Sequence, residues 1–301
     1  MTLPLHGCFT GVESTPKITY KDVKENNADR TSAEEALAAT FTAPPFGEWE
    51  NGKRFYVTSD RIGLVMSSKS GTSLSTPSEG DVMRYRGTRT VTDLTGREVT
   101  EFIFTLSGQQ TDTLTYRTNA TMAELNARRK VEVPFTIDLS LVDKVKEALV
   151  GKTLYVRTPL WFNDSQQAVE GRKFVKVTVN DVLPANEVYP MRVLFTDDAG
   201  VNASVYMSAD NGNRWSPREF ATVFSFTDPH LEYPKITDGM WDYIKRNRVK
   251  EGMTKPEARL ALGDPANIDR GHDHSTAYER WNYTNGIYLI FEDGLLTRFN
   301  K

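Results

Sequence analysis

The chain has 301 residues, 37 lysines and arginines against 40 aspartates and glutamates, a net charge of −3, and 39% hydrophobic content. That length allows more than one compact core, and the near-neutral balance gives no reason to expect nucleic acid as a partner. No apolar run is long enough for a membrane-spanning helix, and Cys8, the only cysteine, excludes an internal disulfide framework and a cysteine-built zinc cluster.

In "LPLHGC" Leu5 stands three residues before Cys8 and Gly7 directly before it. This resembles the end of a bacterial lipoprotein signal, in which the cysteine becomes the lipidated first residue. Residues 1–30 are accordingly expected to be a truncated signal remnant and polar tether, holding the protein to a membrane through a lipid on Cys8. "SAEEALAAT" (32–40) predicts a short helix, with Ser32 as N-cap, Glu35 in its first turn, and Pro44-Pro45 after it.

The chain then repeats itself. "GKRFYV" from Gly52 matches "GKTLYV" from Gly151, and "EFIFTLSG" (101–108) matches "RVLFTDDAG" (192–200). Each copy continues with an alternating strand and a short helix, Thr121 with Glu124 in one and Ser216 with Glu219 in the other, at capping-box spacing. Each ends on an apolar strand, Phe135 matching Phe226 in the same register as Phe104 with Phe195. The expectation is two β-rich repeats, 31–137 and 138–234, each a helix followed by a small barrel-like antiparallel sheet. The second opens with an amphipathic helix in "DLSLVDKVKEALVGK" (138–152), with Leu141, Val142, Val145, Ala148 and Leu149 as its apolar stripe.

Residues 235–301 predict a third unit. In "DGMWDYIKRNR" Met240, Trp241 and Ile244 form the inward face of a helix. A second helix is bounded by the Thr254–Glu257 capping box, with Pro256 in its first turn and Gly263 as its left-handed stop. It is too short to be stable alone. Asn285-Gly286 and Asp293-Gly294 then separate three strands, at about 278–283, 287–291 and 295–299. Trp281, Tyr283, Tyr288, Ile290, Leu296 and Phe299 are the expected packing residues. The overall class is α+β, mainly antiparallel β: two barrel-like repeats and a two-helix, three-stranded unit.

The residues Gly252, Met253, Thr254, Glu257, Leu262, Gly263, Pro265, Trp281, Tyr283, Phe291, Gly294 and Phe299 carry a pattern similar to the SmpA/OmlA family of outer-membrane lipoproteins, the BamE-like fold. The likeness covers about 237–301. It implies a non-enzymatic lipoprotein of the cell envelope, at the outer membrane of a Gram-negative bacterium, binding an envelope protein or cell-wall component. Fold alone does not fix function.

No residue set for catalysis emerges, and no cofactor is expected. Asp269, His272, Asp273 and His274 are the one cluster with metal-ligand chemistry, read here as a polar loop joining helix to sheet. "MRYRGTR" (83–89) alternates arginine with an aromatic, as a solvated strand face does, and "IKRNRVK" (244–250) sets cations at a helix C-terminus. Tyr155, Trp161 and Trp215 are candidate binding contacts, although each also suits a core. The alternatives are a secreted hydrolase acting on glycan or peptide through acidic loop residues, and an inhibitor-like binder of a secreted enzyme.

Overall fold

The computed structural model describes residues 37, 41–68, 76–106, 113–128, 130–208, 218–273 and 276–300. Cys8, Trp215, Ser216 and His274 lie outside them. The chain forms three antiparallel sheets with a few short helices, a β-dominated α+β fold.

The first sheet holds β1 (Arg54–Val57), β2 (Met66–Ser68), β3 (Val82–Thr92), β4 (Glu98–Leu106), β5 (Thr113–Arg117) and β6 (Thr136–Asp138) in the order β2-β5-β4-β3-β1-β6. Met83 and Tyr85 point into its core while Arg86 stays exposed, the solvated arginine face expected of "MRYRGTR". That core gathers Phe55, Phe102, Phe104 and Leu114 with Leu125 of α1 (Met122–Ala127). α1 starts at the anticipated capping box: Thr121 Oγ1 accepts from Glu124 N, and the Glu124 carboxylate accepts from Thr121 N.

The second sheet repeats this plan. Its strands β7 (Thr153–Val156), β8 (Leu160–Phe162), β9 (Ala168–Glu170), β10 (Val175–Pro184), β11 (Met191–Asp197), β12 (Asn202–Met207) and β13 (Phe224–Ser225) run in the order β13-β7-β10-β11-β12-β8-β9. Without the added edge strand β9, that order matches the first. The registers match too. Phe55↔Met83, Tyr85↔Phe104 and Thr115↔Ser67 have counterparts in Leu154↔Val177, Val179↔Phe195 and Ser204↔Phe162. Each long hairpin carries a register shift at the same place, between Tyr85 and Gly87 and between Val179 and Asp181. Such a bulge bends the strand and tightens its twist, which curls the sheet. Among the described residues neither order returns on itself, so the sheets curl without closing as barrels.

The ends of the two copies differ from the expected alignment. Thr136 lies opposite Val57 and Phe224 opposite Val156, so Phe135 corresponds to Val223, not to Phe226. α3 (Phe220–Val223) runs straight into β13, whereas residues 128–135 separate α1 from β6. Glu219 is itself the N-cap of α3 and makes no side-chain cap bond.

α2 (Leu139–Leu149) lies between the sheets. Leu141, Val142, Val145 and Leu149 are buried in the second core, with Ala148 beside them, as its periodicity predicts. Leu37 and Phe41 pack into this same core, Phe41 edge-on to Phe220 at 6.1 Å. The segment before the first sheet thus helps cover the second.

The third sheet has four strands where three were expected: β14 (Asn267–Asp273), β15 (Thr276–Asn282), β16 (Tyr288–Glu292) and β17 (Leu295–Asn300), in sequence order. "NIDRGHD", read as a polar loop, is a strand paired along its length with β15. It lacks apolar alternation because Ile268 alone supplies its packing residue, opposite Trp281. After α4 (Pro229–Glu232), α5 (Asp238–Lys245) and α6 (Lys255–Leu262) contribute Trp241, Ile244, Ala258 and Ala261 to the third core, with Met253 from the segment between them. Leu289 and Phe291 meet them from β16, while Tyr288 and Ile290, the residues expected there, take the opposite face. A one-residue error in strand parity moves every side chain to the other side.

α6 has the predicted boundaries. Thr254 Oγ1 accepts from Glu257 N at 3.4 Å, the Glu257 carboxylate accepts from Thr254 N at 2.7 Å, and Gly263 ends the helix at φ 83°. Thr254→Ala removes an oxygen from an otherwise orphaned backbone donor. It is expected to cost the third unit about 1 kcal/mol in urea unfolding, with Thr254→Ser close to wild type.

Candidate functional site

The four metal-type residues do not converge. The Asp269 carboxylate accepts from the side-chain amides of Asn267 and Asn282, both at 2.8 Å, and so belongs to a β14–β15 polar pair. His272 is exposed opposite Ala277, on the alternate register from Asp269, and Asp273 pairs with Thr276 at the turn. Among the described residues no group of three or more His, Cys, Asp or Glu is placed to hold a metal.

Of the candidate contacts, Trp161 is buried. Its Nε1 donates to Thr158 O at 2.9 Å, its ring meets Phe195 edge-on at 5.1 Å, and a Cβ on Gly171 would strike that ring at 2.1 Å. It is a packing residue and not a surface contact. Tyr155 is half-buried where the second sheet meets the third unit. Its hydroxyl donates to Asp228 Oδ2 at 3.2 Å, and His230 Nδ1 lies 2.7 Å from Asp228 Oδ1. The His230 ring lies tilted against Trp241, the ring centroids 4.3 Å apart. Burial pushes the Tyr155 pKa up, and the Asp228 charge adds to this. For Asp228 burial acts upward, but the amide and ring of His230 and the Tyr155 hydroxyl together hold the carboxyl below its ordinary range.

The same junction contains residues that the sequence did not mark. Phe174 sits at φ 56° and inserts into the third core, 5.9 Å from the Trp241 ring. Its counterpart in the first sheet is Gly80 at φ 96°. Phe174 N donates to Val156 O as Gly80 N donates to Val57 O. A bulky residue at positive φ is strained by about 1 kcal/mol or more, so its docking has to hold it there. Beside it, the Lys173 ammonium donates to Leu260 O and Ala261 O, both at 2.6 Å, at the C-terminal end of α6, where a cation complements the helix dipole. Burial pushes its pKa down to about 8. Asn247, at φ 54°, reaches Gly171 O through Nδ2 at 3.5 Å. Only Asn247 had a readable signal, an asparagine just past a helix end, where left-handed backbone is common.

Two further surfaces stand out. α5 and α6 cover one face of the third sheet; Arg280, Tyr288, Ile290 and Arg298 share the other, Arg280 lying over the Tyr288 ring at 4.6 Å. The Gly252–Thr254 segment bonds to Leu296 along the β17 edge, which leaves β14 as the open edge among the described residues. Between the first two sheets a cleft of about 220 Å³ is lined by Trp49, Phe55, Phe135, Asp138, Glu187 and Pro190. Its carboxylates are engaged: Asp138 with Lys53 at 2.6 Å, Glu187 with Thr58 at 3.3 Å. Lys53 also donates to Ser140 Oγ at 2.8 Å and lies over the Trp49 ring, which ties β1 to the start of α2. No protein-family model matches this chain, and no curated protein matches it significantly.

Proposed function

We propose that the chain is a non-enzymatic lipoprotein of a bacterial cell envelope, built of two β repeats carrying a C-terminal BamE-like unit that binds another envelope protein or a cell-wall component. The observation that carries the reading is the third unit, two short capped helices on one face of an antiparallel meander whose other face is uncovered among the described residues. The family-like residues Met253, Trp281 and Phe291 belong to its core, Leu262 packs partly buried against it, and Thr254, Glu257 and Gly263 form the helix boundaries. An open sheet face bearing arginine and tyrosine, next to an open strand edge, offers groups that bind protein well.

Expression from the complete gene tests this, with fatty-acid labelling and fractionation of envelope from soluble protein. Labelled protein in the envelope fraction, lost to the soluble fraction by Cys8→Ser, is the expected result. Unlabelled wild-type protein in the soluble fraction overturns the envelope reading.

A further inference from the structure

The third unit carries a groove of about 470 Å³ along α5, bounded by the exposed side of the helix and by the segment that follows it. Arg246, Arg248 and Lys250 line one end, and all three are exposed. Among the described residues none of the three is paired with a carboxylate, and the Lys250 ammonium lies over the Tyr243 ring at 5.4 Å. Elsewhere in the unit Lys255 and Arg270 pair with Glu279, Arg259 with Asp264, and Arg298 with Glu292. A helix dipole favours a cation in the last turn and fades beyond it, which accounts for Arg246 and not for Arg248 or Lys250. The other end of the groove holds Gly239, the second residue of α5. A Cβ there would meet nothing within 4 Å, and its φ is not positive. Neither crowding nor backbone conformation within the protein therefore calls for glycine, which weakens a helix relative to alanine. Bare backbone on a groove floor is where a second backbone can come close.

We propose that this groove binds an extended acidic segment of a partner protein. The backbone of the segment passes over Gly239, and its carboxylates reach Arg246, Arg248 and Lys250, two of which offer the planar fork that suits a carboxylate. From Gly239 to Arg246 the helix rises about 10 Å, the span of about three residues of extended chain. That length separates a peptide from a lone anion, which would use the cationic end and leave Gly239 without a role. A membrane surface fits less well, because the site is concave and Asp242 stands in its wall one turn before Arg246. The net charge of −3 likewise opposes broad attraction to a polyanionic surface. The groove lies on the helix side of the unit, so it is a second site beyond the open sheet face, and its chemistry does not depend on an envelope location.

The test is fluorescence anisotropy of dye-labelled hexaglutamate with the full chain at low ionic strength, set against labelled hexaglutamine. Inorganic phosphate serves as a competitor, and sedimentation with vesicles of phosphatidylserine and phosphatidylcholine is a separate arm. Saturable binding of hexaglutamate and none of hexaglutamine is expected, weakened by added salt. Arg246→Gln and Arg248→Gln should each weaken it about three- to fivefold, the scale of an exposed ion pair. Asp242→Asn should tighten it by removing a like charge from the wall. Gly239→Ala should weaken it while leaving Tm at or above wild type, because alanine favours the helix but fills the groove floor. Equal binding of the two peptides, undiminished binding when both arginines are replaced by glutamine, or unchanged binding in Gly239→Ala overturns the proposal. Displacement of the peptide by equimolar phosphate would assign the site to a single anion, and vesicle binding without peptide binding would assign it to a membrane; either result also overturns it. The two-peptide comparison uses the wild-type chain, so it holds even where a variant fails to fold.

Discussion

Trp281→Ala is expected to unfold the C-terminal unit, at a cost of about 4 kcal/mol, while the two larger sheets stay folded. Trp281 is 1% exposed and lies at the centre of the third core, 4.6 Å from the Phe291 ring. The Arg259 guanidinium covers it at 4.9 Å. Its Nε1 donates to Glu279 Oε2 at 3.1 Å, and Glu279 in turn bonds Lys255 at 3.1 Å and Arg270 at 3.2 Å. Burial acts to raise the Glu279 pKa, yet Trp281, Lys255 and Arg270 hold it below its ordinary value. The substitution therefore opens a cavity between sheet and helices and removes one donor from a partly buried carboxylate. A unit of this size has little stability to spare, so a loss of that order suffices to melt it. Hydrogen exchange resolved by segment is the measurement: protection should vanish over 235–300 and persist in β3–β4 and β10–β11. Trp281→Phe keeps most of the ring and should cost about 1–2 kcal/mol. Simultaneous loss of protection in all three sheets would mean that the third unit is not a separate cooperative body.

The parts of this unit that were legible in sequence are the ones fixed by local chemistry. Thr254, Glu257 and Gly263 act within one or two helical turns, so their spacing suffices to place both ends of α6. Asp293-Gly294 has both residues at positive φ, 50° and 82°, as a two-residue hairpin turn requires. The failures are long-range. β14 is held by pairing with β15 and has almost no apolar signal of its own. In "IYLIF" every residue is apolar or aromatic, so parity alone cannot tell Leu289 and Phe291 from Tyr288 and Ile290. The repeat was readable from "GKRFYV" and "GKTLYV", but its shared strand order and bulge appear only in the pairing. The junction was invisible because Lys173 reads as a surface lysine and Phe174 as an ordinary core residue. Only tertiary contact reveals that Phe174 stands where the first repeat has glycine.

Lys173 should make the stability of this junction depend on alkaline pH. The residue is 7% exposed, and burial lowers its pKa from 10.5 to about 8 in the folded chain. Below about pH 8 both states carry the proton, and the folded state bears the full cost of burying it. Between about 8 and 10.5 the unfolded chain still binds the proton that the folded chain has released, so stability rises with pH across that window. The expected gain is on the order of 2–3 kcal/mol, at 1.36 kcal/mol per pKa unit. The carbonyls of Leu260 and Ala261 oppose the shift by favouring the charged form, but a neutral amine still donates to both, so they offset only part of the burial cost. Lys173→Met keeps the length of the chain and removes the charge. Urea midpoints for both proteins at pH 7, 8, 9 and 10 isolate the effect, because tyrosine titration is common to the two and cancels in the difference. The wild type should gain on Lys173→Met steadily above pH 8. Parallel pH profiles would show instead that the helix-end carbonyls hold the ammonium charged throughout, and that the buried cation is fully compensated where it lies.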